Sequence, residues 1–443
     1  MKKAALHNLG CKVNAYETEA MQQRLRESGY TIVPFAEEAD VYIINTCTVT
    51  NIADRKSRQM LHRAKKRNPN AIVVAAGCYV QTAKEICEAD ESVDIIIGNN
   101  RKKDIIQILE EFQAKKKKTD TVIDINHTAE YEDMPVTQME NHTRAYIKIQ
   151  DGCNQFCTYC VIPYARGRVR SREKESIKEE VQNLAKAGFK EIVLTGIHLS
   201  SYGIDREETG ALLSLMEQLH KIAGIERIRL GSLEPKIITR EFVERISSLP
   251  KICPHFHLSL QSGSDTVLKR MNRRYTSAEY EEGCQILRKY YKNPAITTDI
   301  ITGFPGETEE EFQETYAFAK RIAFFDMHIF KYSRREGTKA AWMEHQIPEQ
   351  IKTERSDQLL LLAEKLSEEY RKWFIGQEVE ILIEETETIE GEEYQVGHTS
   401  EYIKVAVKAR ENLCGRIIKV YLKEIMQEKH EILYGELLSY NRT

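Results

Sequence analysis

The run Asp151-Gly-Cys-Asn-Gln-Phe-Cys-Thr-Tyr-Cys-Val-Ile-Pro163 puts Cys153, Cys157 and Cys160 in a C-x3-C-x2-C spacing. Thiolates this close on one loop can hold three irons of a 4Fe-4S cluster. Three protein ligands for four irons leave one iron open to a small molecule. Zinc is the competing reading, but a structural zinc site normally takes four ligands, and no further His or Cys flanks the loop. The loop directly follows a predicted strand, Ala145 to Gln150. Loops after the carboxyl ends of barrel strands are where barrel active sites sit.

Downstream, the pattern of strand and helix repeats. Further strands are predicted at Glu191 to Thr195, Arg227 to Gly231, His255 to Leu260, Ile296 to Thr302 and Asp326 to Tyr332. Helices are predicted between them at Glu175 to Ala187, Leu212 to Ile222, Thr239 to Ser248, Ser277 to Tyr291 and Thr308 to Arg321. Six such units without a seventh or eighth predict a partial (β/α)6 TIM-like barrel, opened on one side. A long helix, Glu349 to Trp373, follows.

Upstream, strands at Lys3 to Leu9, Val41 to Thr46, Ile72 to Gly77 and Asp94 to Gly98 alternate with helices at Ala15 to Ser28 and Ile52 to Arg67. This is the pattern of an open parallel sheet covered by helices. Cys11, Cys47 and Cys78 each fall just beyond a predicted strand. Carboxyl ends of parallel strands share one edge, so these distant cysteines are expected to converge. The alternative is three buried structural cysteines. The lysine run at 115–118 marks the end of this region, with a polar linker to Thr143 and one strand expected at Thr121 to Ile125. The tail reads as a small β-barrel, with strands at Gly376 to Ile383, Tyr402 to Ala409, Gly415 to Leu422 and Glu431 to Leu438. The fold class is α/β overall, in three domains: 1–118, 139–373 and 374–443.

The chain has 443 residues, 41% of them apolar, and a formal net charge of −4. No uncharged apolar run reaches the ~18 residues of a membrane span, and the start lacks the pattern of a signal peptide. Ten cysteines in such a chain point to a reducing compartment, the cytoplasm. Charge is unevenly spread. Arg55 to Arg67 carries seven basic and no acidic residues, which is either a solvated helix face or an anion site. Arg166, Arg168, Arg170 and Arg172 alternate, and an extended segment would aim all four to one side for anion binding. Lys269, Arg270, Arg273 and Arg274 form a third cluster. The tail opposes this trend, with 8 Lys+Arg against 14 Asp+Glu from Gly376 on. Cys87, Cys253, Cys284 and Cys414 match no motif and read as structural. His198 reads as a hydrogen-bonding residue.

The cluster loop resembles that of the radical S-adenosylmethionine (SAM) superfamily, with Tyr159 before the last cysteine. Leu194-Thr-Gly196, Leu230-Gly-Ser-Leu-Glu-Pro235, Ser259-Leu-Gln-Ser-Gly263 and Thr302-Gly-Phe-Pro-Gly306 resemble its SAM-lining segments. The resemblance implies cofactor contacts from Tyr159, Thr195, Gly196, Ser232, Gln261 and Gly303. Leu9-Gly-Cys-Lys-Val-Asn14, Asn45-Thr-Cys-Thr-Val-Thr50 and Ala76-Gly-Cys-Tyr79 look like the cysteine motifs of the methylthiotransferase domain, and the tail like a TRAM barrel. The resemblance then covers essentially the whole chain. It implies two 4Fe-4S clusters, one on Cys153, Cys157 and Cys160, the other on Cys11, Cys47 and Cys78. It further implies that one SAM would methylate sulfur at the second cluster and that another would supply a 5'-deoxyadenosyl radical to abstract hydrogen from the substrate.

Gly10-Cys-Lys-Val-Asn14 and Cys47-Thr-Val-Thr-Asn-Ile-Ala-Asp54 are most similar to the branch acting on threonylcarbamoyladenosine beside the tRNA anticodon. The resemblance thus implies tRNA and a reducing electron donor as partners. The arginine strip from Arg166 to Arg172 is expected to hold the anticodon-loop backbone. The alternatives are the isopentenyladenosine branch, a radical SAM enzyme using its second cluster only for electron transfer, and a non-enzymatic iron-sulfur RNA-binding protein or redox sensor. No acid-base catalyst is assigned.

Overall fold

The computed structural model describes residues 2–137 and 143–438. The expected domain start at 139 lies outside them. The first sheet holds β1 (Lys3–Asn8), β2 (Thr31–Ile32), β3 (Val41–Thr46), β4 (Ile72–Gly77), β5 (Ile95–Ile97) and β6 (Thr119–Asp120). Its order is β2-β1-β3-β4-β5-β6, with every pairing parallel. All six residues of β3 are buried, as a strand covered on both faces requires. Two short edge strands, β2 and β6, escape sequence reading because two residues carry no periodicity. The strand expected at Thr121 to Ile125 is not formed; pairing stops at Asp120, and Ile125–His127 is a 3-10 turn.

The helices start where their caps put them. Thr50 accepts from the Ala53 amide and opens helix Asn51–Arg67. Thr276 with Glu279, and Thr308 with Glu311, form capping boxes for helices Ser277–Tyr290 and Glu309–Ile322.

The central region holds β7 (Arg144–Asp151), β8 (Arg170–Ser171), β9 (Glu191–Gly196), β10 (Arg227–Leu230), β11 (His255–His257), β12 (Ala295–Thr302) and β13 (Asp326–Lys331). β7, β9 and β10 run parallel, as do β11, β12 and β13. Parallel bridges Ile228–Ile252 and Leu233–Leu258 join the two halves. The result is the expected six-stranded open barrel. Helix Lys12–Glu27 packs on β7 and β9, and its Tyr16 and Ala20 enter the barrel core.

The tail closes into a five-stranded barrel of β14 (Glu378–Ile389), β15 (Glu392–Thr399), β16 (Lys404–Val407), β17 (Ile417–Ile425) and β18 (Ile432–Leu437). Strand β15 is missed by the sequence reading, because it begins in an acidic turn. This barrel docks at the amino ends of the central strands. Arg144, the first residue of β7, pairs with Glu384 at 3.0 Å. Arg227, the first of β10, donates to the His398 and Glu380 carbonyls at 2.9 and 2.8 Å. His255, the first of β11, stacks on Tyr402 at 5.0 Å. No helix among the described residues is long and apolar enough to cross a membrane.

Candidate functional site between two cysteine triads

In the first sheet Asn8 pairs with Asn45, and Thr46 with Gly77. The register therefore brings the residues after β1, β3 and β4 to one edge, and these carry Cys11, Cys47 and Cys78. Their thiols lie close enough to influence one another electrostatically. Two glycines make the convergence sterically feasible. Gly10 has φ +105°, and a Cβ there would lie 2.9 Å from Cys47 Sγ. Gly77 has φ +98°, and a Cβ would lie 2.6 Å from Asn45 Oδ1. Only glycine takes such a backbone at no steric cost.

The second triad follows β7. Gly152 has φ +73°, and a Cβ there would lie 1.8 Å from the Arg168 carbonyl oxygen. The loop turns back on itself, with the Cys153 amide donating to Gly167 and the Cys160 amide to Cys157, both at 3.0 Å. Arg273 Nη1 donates to Cys157 Sγ at 3.3 Å, and its Nη2 to Glu234 at 3.0 Å. Glu234 in turn meets His198 Nε2 at 3.2 Å. His198 thus has the hydrogen-bonding part expected of it.

Burial pushes the Cys47 and Cys153 thiols up to about 11 and Cys160 to about 12. Metal binding at these sulfurs must therefore displace a proton. The donor sets fit clusters better than single ions. Among the described residues, His257, Asp299 and His328 alone bring three His, Cys or carboxylate ligand atoms within 4.8 Å of one another. A lone zinc, with Zn–S near 2.3 Å, would need sulfurs no more than about 4.6 Å apart. Neither cysteine triad meets that 4.8 Å spacing. The His257–Asp299–His328 group is itself compensated. Two imidazoles hold the Asp299 carboxylate at 3.2 and 3.1 Å, and burial notwithstanding they keep it below its ordinary range.

A cavity of about 250 Å³ lies between Cys160 and the segment that follows Cys47. Val49 and Thr50, just after Cys47, line one wall; Tyr159, Cys160 and Gln261 line another, with Asp299, Phe330 and Lys331 beyond. Of the expected cofactor residues, Tyr159 and Gln261 face this space. Thr195 and Gly196 end β9, and Ser232 follows β10 on the same side of the barrel, but these three do not line the cavity. Gly303 is set back, its amide donating to Glu307 at 2.7 Å. A second recess, of about 430 Å³, lies across the cysteine loop beside Cys157 and carries Lys269 and Lys339.

The expected arginine strip is not a strip. Arg166 ends helix Ile162–Arg166 rather than an extended segment, and Arg166, Arg170 and Arg172 are 0%, 1% and 0% exposed. Arg166 bonds Glu17, Asn14, Asp151 and Cys78. Arg170 donates to the Arg166 and Arg168 carbonyls, and Arg172 pairs with Glu180 and Asp133. These three cannot grip a phosphate backbone from such positions. Arg168 alone is exposed, with its guanidinium 4.5 Å over the Phe156 ring.

Sequence reasoning missed the clamp that holds the first sheet over the barrel. Arg335, after β13, donates to Asn51 at 2.6 Å, Asp54 at 2.7 Å and Thr48 at 2.8 Å. A usable signal existed for a second contact, in β7, where Lys148 and Gln150 alternate with apolar residues in a buried strand. Polar groups in such a strand must have partners inside. Lys148 indeed meets Glu17 at 2.7 Å.

Comparison with known proteins agrees with this architecture. Residues 147–319 match the Radical SAM superfamily, and residues 3–98 match Uncharacterized protein family UPF0004. The chain is 44% identical to threonylcarbamoyladenosine tRNA methylthiotransferase MtaB of Bacillus subtilis, over 95% of this chain and 93% of that one. The Aquifex aeolicus protein of the same name is 45% identical over 88% and 95%. A tRNA-2-methylthio-N(6)-dimethylallyladenosine synthase of Clostridium botulinum is 38% identical, over 85% of each. Among solved structures, the radical S-adenosylmethionine methyltransferase TsrM of Kitasatospora setae shares the fold at a TM-score of 0.57, with 15% identity over 76% of this chain and 77% of that one. The two cysteine triads, the open barrel between them and identity over nearly the full length lead to one conclusion: this chain belongs to the threonylcarbamoyladenosine tRNA methylthiotransferase family of radical SAM enzymes, which work with S-adenosylmethionine and 4Fe-4S clusters.

Proposed function

We propose that this protein converts N6-threonylcarbamoyladenosine, beside the anticodon of a tRNA, to its 2-methylthio derivative. The observation that carries the reading is the cavity bounded by Cys160 on one side and the segment after Cys47 on the other. Cys153, Cys157 and Cys160 would hold one cluster, and Cys11, Cys47 and Cys78 the other. The bound cofactors would supply the hydrogen-abstracting radical and the methylated sulfur.

The chain's own residues position and shield. Tyr159, Gln261 and Phe330 wall the space in which the adenine would sit, and the Arg335 clamp fixes the Cys47 loop above it.

For tRNA, exposed Arg55, Lys56, Arg63 and Lys66 of helix Asn51–Arg67 are the natural contacts, together with Arg168 and the lysines of the second recess. The C-terminal barrel is a weaker candidate. Its Lys404, Lys408, Lys423 and Lys429 are paired with glutamates, and it docks at the barrel end away from the cysteines. In this role the protein would work in the cytoplasm with a reducing electron donor, its domains running 1–118, 139–373 and 374–443.

Nucleoside mass spectrometry of tRNA from a deletion strain tests the reading. Loss of the 2-methylthio group from threonylcarbamoyladenosine is expected. Its loss from isopentenyladenosine alone would overturn the substrate assignment.

A further inference from the structure

We propose that Arg166 sets how readily the site of Cys11, Cys47 and Cys78 accepts an electron, by donating from its Nε to Cys78 Sγ. The inference rests on the reading of that triad as a cluster site.

Arg166 Nε lies 3.1 Å from Cys78 Sγ, and the side chain is fully buried. Its other nitrogens are spoken for. Nη1 meets Glu17 at 2.5 Å and Asp151 at 3.2 Å, and Nη2 meets Asn14 and Glu17. Asn14 is itself fixed, donating to the Leu9 and Thr46 carbonyls at 2.7 and 2.9 Å. The guanidinium therefore cannot rotate away from the sulfur. A second donor, Asn99 Nδ2, reaches the same sulfur at 3.5 Å. Neither Cys11 nor Cys47 has a side-chain donor of this kind among the hydrogen bonds of the described residues.

The surrounding charge points the same way. Arg166, Arg170, Lys102 and Lys148 are buried cations, and Glu17, Asp151 and Glu132 are the buried carboxylates beside them. Cations outnumber anions in this buried region, where an uncompensated charge is costly. A cluster on thiolates is an anion, and reduction adds one more negative charge to it. A fixed cation and a hydrogen bond at one ligand sulfur stabilise the reduced form, because bonds to cluster sulfurs raise the reduction potential.

Arg166 also stands six residues beyond Cys160, on the short helix that continues the other cysteine loop. One side chain thus carries the position of the barrel's cysteine loop to a ligand of the N-terminal site.

The test uses the full chain with Cys153, Cys157 and Cys160 replaced by Ala, reconstituted with iron and sulfide, so that only the N-terminal site is loaded. Iron per chain is measured first, and the midpoint potential is then read by EPR-monitored redox titration. Arg166→Gln should shift the potential to more negative values at unchanged iron content. Arg166→Lys, which keeps the charge and loses the Nε bond, should fall between. Glu17→Gln, which removes a nearby negative charge, should shift it the opposite way. If Arg166→Gln fails to fold or load, the other two variants decide. Iron-loaded variants with the parent's potential overturn the proposal. A parent that binds no iron before Arg166 is touched refutes the cluster assignment instead.

Discussion

The two cysteine triads reach a similar arrangement by opposite routes. Cys153, Cys157 and Cys160 sit on one loop within eight residues of chain. Their proximity is almost covalent, and it needs only Gly152 to start the turn. Cys11, Cys47 and Cys78 are brought together by a six-stranded sheet, by its parallel register, and by glycines at Gly10 and Gly77. The first kind of site survives local rearrangement, while the second is only as good as the sheet. Electrostatics differ accordingly. The contiguous loop takes one guanidinium bond, from Arg273. The assembled triad leans on a buried ionic network spanning both regions of the chain.

The comparison can be broken most sharply at the contiguous loop. Replacing Cys153, Cys157 and Cys160 with Ala should abolish reductive cleavage of SAM to 5'-deoxyadenosine and remove about half of the roughly eight irons two clusters would bring. Iron analysis and chromatography read both. Surviving cleavage would assign the reducing cluster elsewhere. The same change at Cys11, Cys47 and Cys78 should remove the other half of the iron and all methylthio product, yet leave 5'-deoxyadenosine formation in place. Full product formation in that variant would end the two-site reading.

Backbone substitutions probe the dependence on the sheet. Gly77→Ala forces a side chain into a left-handed position against Asn45 and should cost about 1–3 kcal/mol of stability, measured by urea unfolding. It should lower iron at the N-terminal site more than at the barrel loop. Equal loss at both sites would mean that the triads are not independent in assembly.

Acid should loosen the network between them. Burial opposes the charge on Glu17, but Arg166, Lys102 and Lys148 outweigh burial and hold its carboxyl well below the ordinary value of 4.5. A carboxyl depressed on folding stabilises the native state fully above about pH 4.5 and loses that contribution as pH falls through its folded value. Unfolding of the iron-free chain should therefore become easier below pH 4.5, and Glu17→Gln should flatten this trend. A variant with the parent's full acid slope would remove Glu17 from the account.

The smallest effect is expected at the surface. Arg168→Ala should reduce the salt dependence of tRNA binding by roughly one unit of slope, with iron content unchanged. The same substitution at Arg170 should leave the slope alone and destabilise the fold, since that side chain is buried. Equal slopes in the two variants would restore the strip that the structure dissolves.

How much of this was legible in the sequence depends on how local the cause was. Strands β3 and β4 were read to the residue, because a strand buried on both faces is a continuous apolar run bounded by polar turns. The barrel units were also plain, through their alternation of strand and helix. Strands β2, β6 and β15 were not, because two residues or an acidic start leave no pattern. The cysteine convergence was readable only because parallel strands share an edge, a rule about topology rather than about the residues.

The sequence by itself determined the contiguous cysteine loop, the open barrel and the order of the three regions, since spacing and periodicity act within a few residues. Tertiary structure alone decided the fate of the arginines. Alternate spacing says that four side chains share a side only if the chain is extended, and here a helical turn at Arg166 breaks that condition. Whether a guanidinium faces water or a carboxylate depends on what arrives opposite it. For Arg166 the partners Asn14, Glu17 and Cys78 come from as far as 152 residues away. No local pattern encodes such a meeting; it follows from the docking of helix Lys12–Glu27 on the open barrel.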